Sequence, residues 1–235
     1  MAVIVGIFGM SGDGKTTSTI INPDGGYEFT KEGYKGMSPS SHFIINLDRK
    51  TLPFPSGMWS KEKGNYLETS DINEIRGAIE YCSKTPTIKS VAFDTINLYL
   101  ANKEYNGRKK MTFDQWADLA MDLIEINTLC NTLLRPDQIA YIMGHVELIT
   151  DVDGVEKKVL AVSGKKSKKQ MPEGFYPIVL MTRIECDGLG GNKFFFQTKA
   201  QNSTAKTPIG MFPTFEVPNS MKLIDTTIRE YYNIK

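Results

Sequence analysis

The chain has 235 residues, of which 40% are hydrophobic and 23% are charged, the composition of an ordinary soluble globular protein. Its formal net charge of +1 favours no class of partner, so basic and acidic segments have to be considered one by one. The three cysteines are far apart and form no C-x-x-C pair, which excludes the usual zinc and disulfide frameworks. The sequence contains no apolar run of about 18 residues, the length needed to cross a membrane. We expect one domain over residues 1–235, in a reducing, cytoplasmic setting.

An apolar strand predicted at residues 3–8 leads directly into a glycine-rich loop, Gly9–Thr17. The loop matches G-x-x-x-x-G-K-[ST], the Walker A pattern, in which inward-turned backbone N–H groups form an anion nest. Lys15 is expected to bind the β- and γ-phosphates, and the Thr16 hydroxyl is a suitable magnesium ligand. A helix over 15–21 is expected to add its positive N-terminal end. The residues predicted to contact a nucleoside triphosphate are Gly9, Met10, Ser11, Gly12, Asp13, Gly14, Lys15, Thr16 and Thr17.

The rest of the chain alternates between apolar runs and amphipathic patterns. Strands are predicted at 42–48, 89–95, 138–144, 177–185 and 193–199. Helices are predicted at 71–83, 97–105, 113–134 and 220–232. Irregular or loop-like segments are predicted at 22–41 and 51–68, and a basic, flexible segment at 163–174. A hairpin is predicted at 146–162 and an extended, proline-containing segment at 200–219. The alternation indicates an α/β fold in which a mostly parallel sheet is flanked by helices, with antiparallel strands toward the C-terminus.

Polar residues stand at the carboxyl ends of three predicted strands, where ligands bind in this architecture. Asp94 occupies the position of a Walker B carboxylate and is predicted to bind magnesium together with Thr16. Since Thr95 follows it in place of a glutamate, a water-activating carboxylate must come from elsewhere, and Asp48 is the best candidate. His145 could sense the γ-phosphate and report to the loop that follows. The alternatives are two ordinary turn aspartates and a structural histidine.

Lysines are concentrated in the segment that follows the fourth strand. Six of them lie between residues 157 and 169, with no acid from 157 to 170, and a smaller basic group lies at 108–110. Such a run is usually a solvated face, but clustered cations after a phosphate sensor favour contacts to the backbone of single-stranded nucleic acid. The residues predicted to bind nucleic acid are Lys157, Lys158, Lys165, Lys166, Lys168, Lys169, Arg108, Lys109 and Lys110.

Taken in order, the Walker A loop, Asp48, Asp94-Thr95, His145 and the lysine-rich loop resemble a RecA-type ATPase core. The short length, the compact start and the segment Thr198–Pro208 resemble more closely the phage-encoded RecA-like ATPases of the Sak group. Members of that group look like cut-down recombinases that act in single-strand annealing. The resemblance implies a RecA-like P-loop fold, ATP and Mg²⁺ as cofactors, and the cytoplasm of the host cell as the location.

The resemblance also implies roles for individual residues. Asp48 would match the catalytic glutamate of the recombinases, although it is one methylene shorter. His145 would replace the glutamine that couples the γ-phosphate to the DNA-binding loop. Lys199 and Lys206 would resemble the lysines that reach into a neighbour's ATP site in a homo-oligomeric ring or filament. Together with Lys15, these residues form the predicted catalytic set.

The expected function is ATP-dependent binding of single-stranded DNA, with DNA-stimulated ATP hydrolysis, in phage DNA recombination, annealing or replication. One alternative is a nucleotide or small-molecule kinase, which opens with the same loop. Such kinases clamp the transferred phosphate with several arginines, whereas this chain has only six, scattered along its length. The other alternative is a non-hydrolysing, nucleotide-switched binding module, with which the short acid Asp48 is compatible.

Overall fold

The computed structural model describes residues 1–26, 34–107, 113–150, 153–162, 172–186, 188 and 191–235, with the backbone alone at residues 56, 102–107 and 113–122. The strands in this part of the chain are β1 Val3–Phe8, β2 His42–Asn46, β3 Tyr66–Glu68, β4 Ser90–Asp94, β5 Ile139–Gly144, β6 Val146–Thr150, β7 Glu156–Leu160, β8 Ile178–Cys186, β9 Asn192–Gln197 and β10 Glu216–Pro218. The α-helices are α1 Ile72–Lys84, α2 Ile96–Gly107, α3 Phe113–Leu133 and α4 Met221–Tyr232. Within the described ranges, none of these helices has the length and apolar character needed to span a bilayer.

Eight strands form one sheet in the order β10-β9-β8-β1-β5-β4-β2-β3. The six strands from β8 to β3 run parallel, and β9 and β10 extend one edge in antiparallel fashion. Strands β6 and β7 form a separate antiparallel hairpin, as predicted for residues 146–162. This topology confirms the predicted α/β fold, in which a mostly parallel sheet is flanked by helices and antiparallel strands lie toward the C-terminus.

Alternate side chains of β1 pack on opposite faces of the sheet, as the two-residue period of a strand requires. Ile4 and Phe8 belong to the core that the sheet forms with α1, α2 and α3. Val5 and Ile7 belong to the core on the other face, which is closed by α4. Because both faces are covered, the central strands are continuous apolar runs, and this is why the sequence located them.

Side-chain caps fix the first turn of two helices. Asp71 accepts hydrogen bonds from two backbone N–H groups at the start of α1. Ser220 accepts from the N–H of Leu223 at the start of α4 and donates to the carbonyl of Ile21, 2.7 Å away. The second contact ties α4 to the segment just after the phosphate loop.

The helix predicted over 15–21 is wrong, because the structure has turns there and a single 3-10 turn at Thr17–Thr19. Hydroxyl-bearing and β-branched residues dominate the segment 16–21, and such residues propagate a helix poorly. The Ser18 hydroxyl donates to the carbonyl of Lys15, 2.5 Å away, and this bond competes with regular helical bonding. The positive helix end expected at Lys15 is therefore limited to one short turn.

Three further predicted boundaries differ from the structure. Residues 51–68, predicted as loop-like, include the edge strand β3, which pairs in parallel with β2. Strand β2 ends at Asn46, so Asp48 lies two residues beyond the strand and not at its tip. The segment 200–219, predicted as extended, includes strand β10. Strands of three residues, such as β3 and β10, are too short to carry a periodic pattern.

Candidate nucleotide-binding site

Glycines shape the phosphate loop at positions where a side chain would be strained or would not fit. Gly12 and Gly14 have φ angles of +86° and +83°, in the left-handed region that glycine tolerates. Gly9 lies so close to β8 that a Cβ atom there would collide with the Thr182 hydroxyl. The same hydroxyl donates a 3.0 Å hydrogen bond to Oδ2 of Asp13 inside the loop. The neighbouring strand therefore helps to hold the loop conformation.

Lys15 is folded back over the loop that precedes it. Its ammonium donates to the carbonyls of Gly9 (2.9 Å) and Met10 (2.7 Å) and lies 3.3 Å from Nδ1 of His145. Lys15 is only 5% exposed, and this burial lowers the pKa of its ammonium. An ammonium has three N–H donors and no acceptor, so Nδ1 of His145 accepts and Nε2 carries the imidazole proton.

Thr16 and Asp94 lie together at the carboxyl end of β4. The Thr16 hydroxyl donates to Oδ2 of Asp94 over 2.7 Å. Oδ1 of Asp94 is buried and has no hydrogen-bond partner among the described residues, and burial raises the pKa of this carboxyl to about 6. A divalent cation would satisfy that oxygen, and hard oxygen atoms of this kind are the ligands that Mg²⁺ prefers. The pair therefore fits the predicted magnesium site.

Asp48 is oriented by the residue that follows the Walker B aspartate. Its Oδ1 accepts from both the backbone N–H (2.9 Å) and the hydroxyl (2.7 Å) of Thr95. Its Oδ2 lies 3.9 Å from the ammonium of Lys50. The peptide bond between Asp94 and Thr95 is cis. Thr95 stands where many ATPases have a glutamate after the Walker B aspartate. It positions Asp48, the carboxylate predicted to replace that glutamate.

His145 connects the phosphate loop to the β6–β7 hairpin. Its backbone N–H donates to Oδ1 of Asn97 (2.5 Å), and its carbonyl accepts from the N–H of Ala161 (2.8 Å), the residue after β7. The side-chain amide of Asn97 also donates to the carbonyl of Ala161. Burial and the neighbouring Lys15 ammonium lower the pKa of the imidazole, so the ring is neutral at pH 7.

These side chains surround the phosphate cavity, a space of about 260 Å³. Its lining consists of Ser11, Gly12, Gly14, Lys15, Thr16, Thr17, Asn46, Asp48, Lys50, Thr51, Leu52, Pro53, Asp94, Thr95 and His145. No arginine is present among these lining residues of the described chain. Lys15, Thr16, Asp48, Asp94 and His145 thus converge on one space, although they come from separate segments of the sequence.

Lys199 and Lys206 lie away from the phosphate cavity of their own chain. Both side chains are exposed, and neither residue belongs to the described lining of that cavity. The ammonium of Lys199 is directed to the carbonyl of Pro213, and the backbone of Lys206 pairs with Val179 in β8. Within one chain, therefore, the structure does not bring these lysines to the nucleotide site.

Two of the predicted nucleic-acid-binding lysines lie in the described part of the chain. Lys157 and Lys158 are half-buried on β7, opposite Ile149 and Leu148 of β6. The others lie outside the described residues, namely Lys165, Lys166, Lys168, Lys169, Arg108, Lys109 and Lys110.

Sequence reasoning missed three residues that build the site, Asn97, Thr182 and Asn219. Asn219, just before α4, donates from its amide to the carbonyl of Asp13 over 3.3 Å. Thr182 and Asn219 are far from the loop in sequence and belong to no motif, so no signal pointed to them. Asn97 carried one weak signal, because it is a polar residue in the first turn after the Walker B strand.

No family model matches the chain, and no curated protein matches it. Among solved structures, it is similar to a KaiC-like protein of the hyperthermophilic archaeon Pyrococcus horikoshii, with 16% identity, a TM-score of 0.45, and coverage of 92% of this chain and 88% of that one. It is also similar to the flagellar accessory protein FlaH of Methanocaldococcus jannaschii, with 13% identity, a TM-score of 0.40, and coverage of 83% and 76%. The fold assignment rests on the strand order and the phosphate loop.

Proposed function

We propose that this protein is a RecA-like ATPase that binds single-stranded DNA when it holds ATP and that hydrolyses ATP slowly. The observation that carries the proposal is the continuous path from Lys15 through His145 to the hairpin that bears Lys157 and Lys158. A phosphate bound at Lys15 changes the partners of His145, whose backbone holds the end of β7. A nucleotide can thereby alter the hairpin that bears Lys157 and Lys158 without touching it.

The phosphate loop and Lys15 would bind the nucleotide. On binding, the ammonium would exchange the carbonyls of Gly9 and Met10 for phosphate oxygens, which are charged and therefore stronger acceptors. A magnesium ion held by Thr16 and Asp94 would neutralise part of the phosphate charge. The Nε2–H of His145 would then be available to donate to the terminal phosphate.

Asp48 would act as the general base that orients the attacking water. Its two hydrogen bonds from Thr95 hold the carboxylate in a fixed orientation. An aspartate is one methylene shorter than a glutamate, so its oxygen reaches less far toward the terminal phosphate. We therefore expect turnover to be slow.

The β6–β7 hairpin offers two kinds of contact to single-stranded DNA. Lys157 and Lys158 supply cations for the phosphate backbone, and Leu148 and Ile149 on the facing strand are 51% and 40% exposed. The lysines and the arginine predicted to bind nucleic acid beyond the described residues would add further cations. A role in phage DNA recombination, annealing or replication, as the Sak resemblance implies, is part of the proposal.

The proposed active form is a homo-oligomer, a ring or a filament, with nucleotide at the interface between copies. The support is that Lys199 and Lys206 are exposed but lie outside the phosphate cavity of their own chain. A cation supplied by a neighbouring copy is a common device for stabilising charge in phosphoryl transfer.

ATP hydrolysis measured with and without single-stranded DNA tests the proposal. We expect slow hydrolysis that DNA stimulates, and DNA binding that weakens when ATP is omitted. Lys15→Ala should lower ATP affinity by roughly 10- to 100-fold, because one buried charge-assisted contact to phosphate is lost. Arg49→Ala, an exposed change outside the cavity, is the control and should have no effect. ATP-independent DNA binding would contradict the proposal.

A non-hydrolysing nucleotide switch is the second candidate, favoured by the short and doubly anchored Asp48. ATP-dependent retention of DNA without phosphate release would select it. A kinase is disfavoured, because no arginine is found among the described lining residues of the phosphate cavity. Transfer of the terminal phosphate to a nucleoside monophosphate would make the kinase the favoured candidate.

A further inference from the structure

A second cavity, of about 390 Å³, lies against the phosphate loop. It shares Gly12, Gly14 and Thr17 with the phosphate cavity, so the two spaces adjoin across the loop. Its remaining wall comes from the segment after the 3-10 turn, from β9 and from the connection between β10 and α4. Any ligand in this second cavity would therefore lie next to the place proposed for the phosphates.

The chemistry of this cavity differs from that of the phosphate cavity. Apolar surface predominates in its lining, to which Ile21, Phe194 and Pro218 contribute, and polar groups are placed among them. Mostly apolar walls with a few directed polar groups are typical of small-molecule sites. Charged phosphates do not bind favourably to a mostly apolar surface, whereas a ribose and a flat base can pack against it.

Phe194 contacts the phosphate loop directly. A Cβ atom added to Gly14 would lie 3.1 Å from Cδ1 of the Phe194 ring and 3.2 Å from Nδ2 of Asn219. The half-buried ring thus packs against a loop glycine and also lines the second cavity. An aromatic ring at such a place can contact the face of a nucleobase.

Asn219 lines the same cavity, and one of its two polar side-chain atoms lacks a hydrogen-bond partner among the described residues. It is 1% exposed, and its amide nitrogen donates to the carbonyl of Asp13. Its Oδ1 is buried and has no partner among the described residues. A buried acceptor without a donor is unfavourable, so a ligand N–H group at this position would be stabilising.

We propose that the second cavity holds the base and ribose of the nucleotide, with Phe194 against the base and Oδ1 of Asn219 accepting from its exocyclic amino group. This assignment rests on the proposed nucleotide binding. It adds that Phe194 and Asn219 determine which base is accepted, and that recognition extends beyond the phosphates to the antiparallel, C-terminal part of the sheet.

Calorimetric titration of the full chain with ATP and with inorganic tripolyphosphate, both with Mg²⁺, tests the assignment. We expect ATP to bind roughly 100-fold more tightly than tripolyphosphate, because base stacking and the amide contact add to phosphate binding. Phe194→Leu should weaken ATP about tenfold and leave tripolyphosphate unchanged. Phe175→Leu, an exposed change outside both cavities, is the matched control and should alter neither affinity.

The possible outcomes separate this assignment from the proposed function. Equal wild-type affinities for the two ligands would overturn the base site and leave the phosphate site intact. Equal losses for both ligands in Phe194→Leu would show that the ring only supports the loop, and would also overturn it. If neither ligand binds the wild-type chain, both the nucleotide site and the base site are wrong.

Two further measurements remain informative if Phe194→Leu does not fold. Asn219→Ala should weaken ATP more than purine riboside triphosphate, which lacks only the amino group, and equal weakening would overturn the role of Oδ1. Photolabelling of the wild-type chain with 8-azido-ATP should modify residues within 192–195 or 217–219. Labelling confined to other segments would overturn the assignment.

Discussion

Burial shifts the pKa values of three ionisable residues in the candidate site. It lowers the pKa of the Lys15 ammonium and of the His145 imidazole, and it raises the pKa of the Asp94 carboxyl to about 6. Each of these shifts reflects a charged form that water would stabilise better than the protein does. Under the proposed function, a magnesium–nucleotide complex would place opposite charges next to Lys15 and Asp94.

The carboxyl of Asp94 gives a prediction about stability without nucleotide. Its folded-state pKa, about 6, lies above the ordinary value of 3.8, so its contribution is fully present at low pH and is lost as the pH rises through 6. The ionised carboxylate then costs the fold about 3 kcal/mol. Asp94→Asn should therefore raise the free energy of unfolding in urea at pH 7.5, and the gain should shrink as the pH approaches 4.

The same variant should lose the magnesium-dependent part of ATP binding, because an amide is a poorer ligand for a hard cation. Glu230→Gln, on an exposed side chain at the end of α4, is the control and should change neither property. If Asp94→Asn is no more stable than wild type at pH 7.5, the burial argument fails.

Sequence alone singled out Lys15, Thr16, Asp94, Asp48 and His145, and the structure brings all five to one cavity. Their catalytic and metal-binding roles stay predictions. The loop residues follow from a local motif, and the other three follow from the rule that parallel strands end at one edge of the sheet.

Among secondary-structure elements, the β6–β7 hairpin is the one that stands apart from the main sheet. Its end is held by hydrogen bonds from Asn97 to Ala161, from Ala161 to the carbonyl of His145, and from the N–H of Leu160 to the buried carboxylate of Glu173, 2.7 Å away. The backbone of Lys158 also pairs with the segment 202–204. Because the bonds of Ala161 lead directly to His145 and to Asn97, we expect a change at His145 to be passed to the hairpin.

Asn97→Ala should separate nucleotide binding from DNA binding. The variant loses the two hydrogen bonds by which the Asn97 side chain bridges His145 and Ala161, while the direct backbone bond between those residues remains. Two hydrogen bonds of about 1 kcal/mol each correspond to a coupling change on the order of tenfold. ATP affinity should stay near wild type, while the ratio of DNA affinities with and without ATP should fall. Fluorescence anisotropy of a labelled oligonucleotide measures that ratio.

Asn73→Ala, on an exposed residue of α1, serves as the control for this experiment. An unchanged ratio in Asn97→Ala would rule out this path between the two sites.

The elements that sequence periodicity located are buried central strands, such as β1 and β5, and the long helix α3. The elements that it missed or misplaced are short or locally ambiguous. Strand β3 exists because it pairs with β2, and the segment after Lys15 turns instead of forming a helix because its hydroxyl groups bond to the backbone.

The assembly of several copies gives a prediction for the whole molecule. If Lys199 and Lys206 act in a neighbouring nucleotide site, a mixture of Lys15→Ala chains with chains lacking both lysines should regain activity. Random mixing of equal amounts restores both halves of a site at roughly a quarter of the interfaces, so about a quarter of the wild-type rate is expected. Steady-state ATP hydrolysis of the mixture is the measurement.

Mixing Lys15→Ala with Asp94→Asn is the matching control, because both changes lie in the same half of the site and no recovery is expected. Wild-type activity in chains that lack both lysines would contradict the shared-site model.

That residues 1–235 form one domain also stays a prediction.

The sequence by itself determined the phosphate loop, the parallel α/β core and the positions of the acids and the histidine that follow its strands. These features depend on local motifs and on apolar periodicity, both of which involve residues that are close together in the sequence. Only the tertiary structure decided that Thr95 orients Asp48, that Asn97 joins His145 to the hairpin, and that Phe194 and Asn219 border the loop. Those contacts join residues far apart in the chain, and no spacing in a single sequence records them.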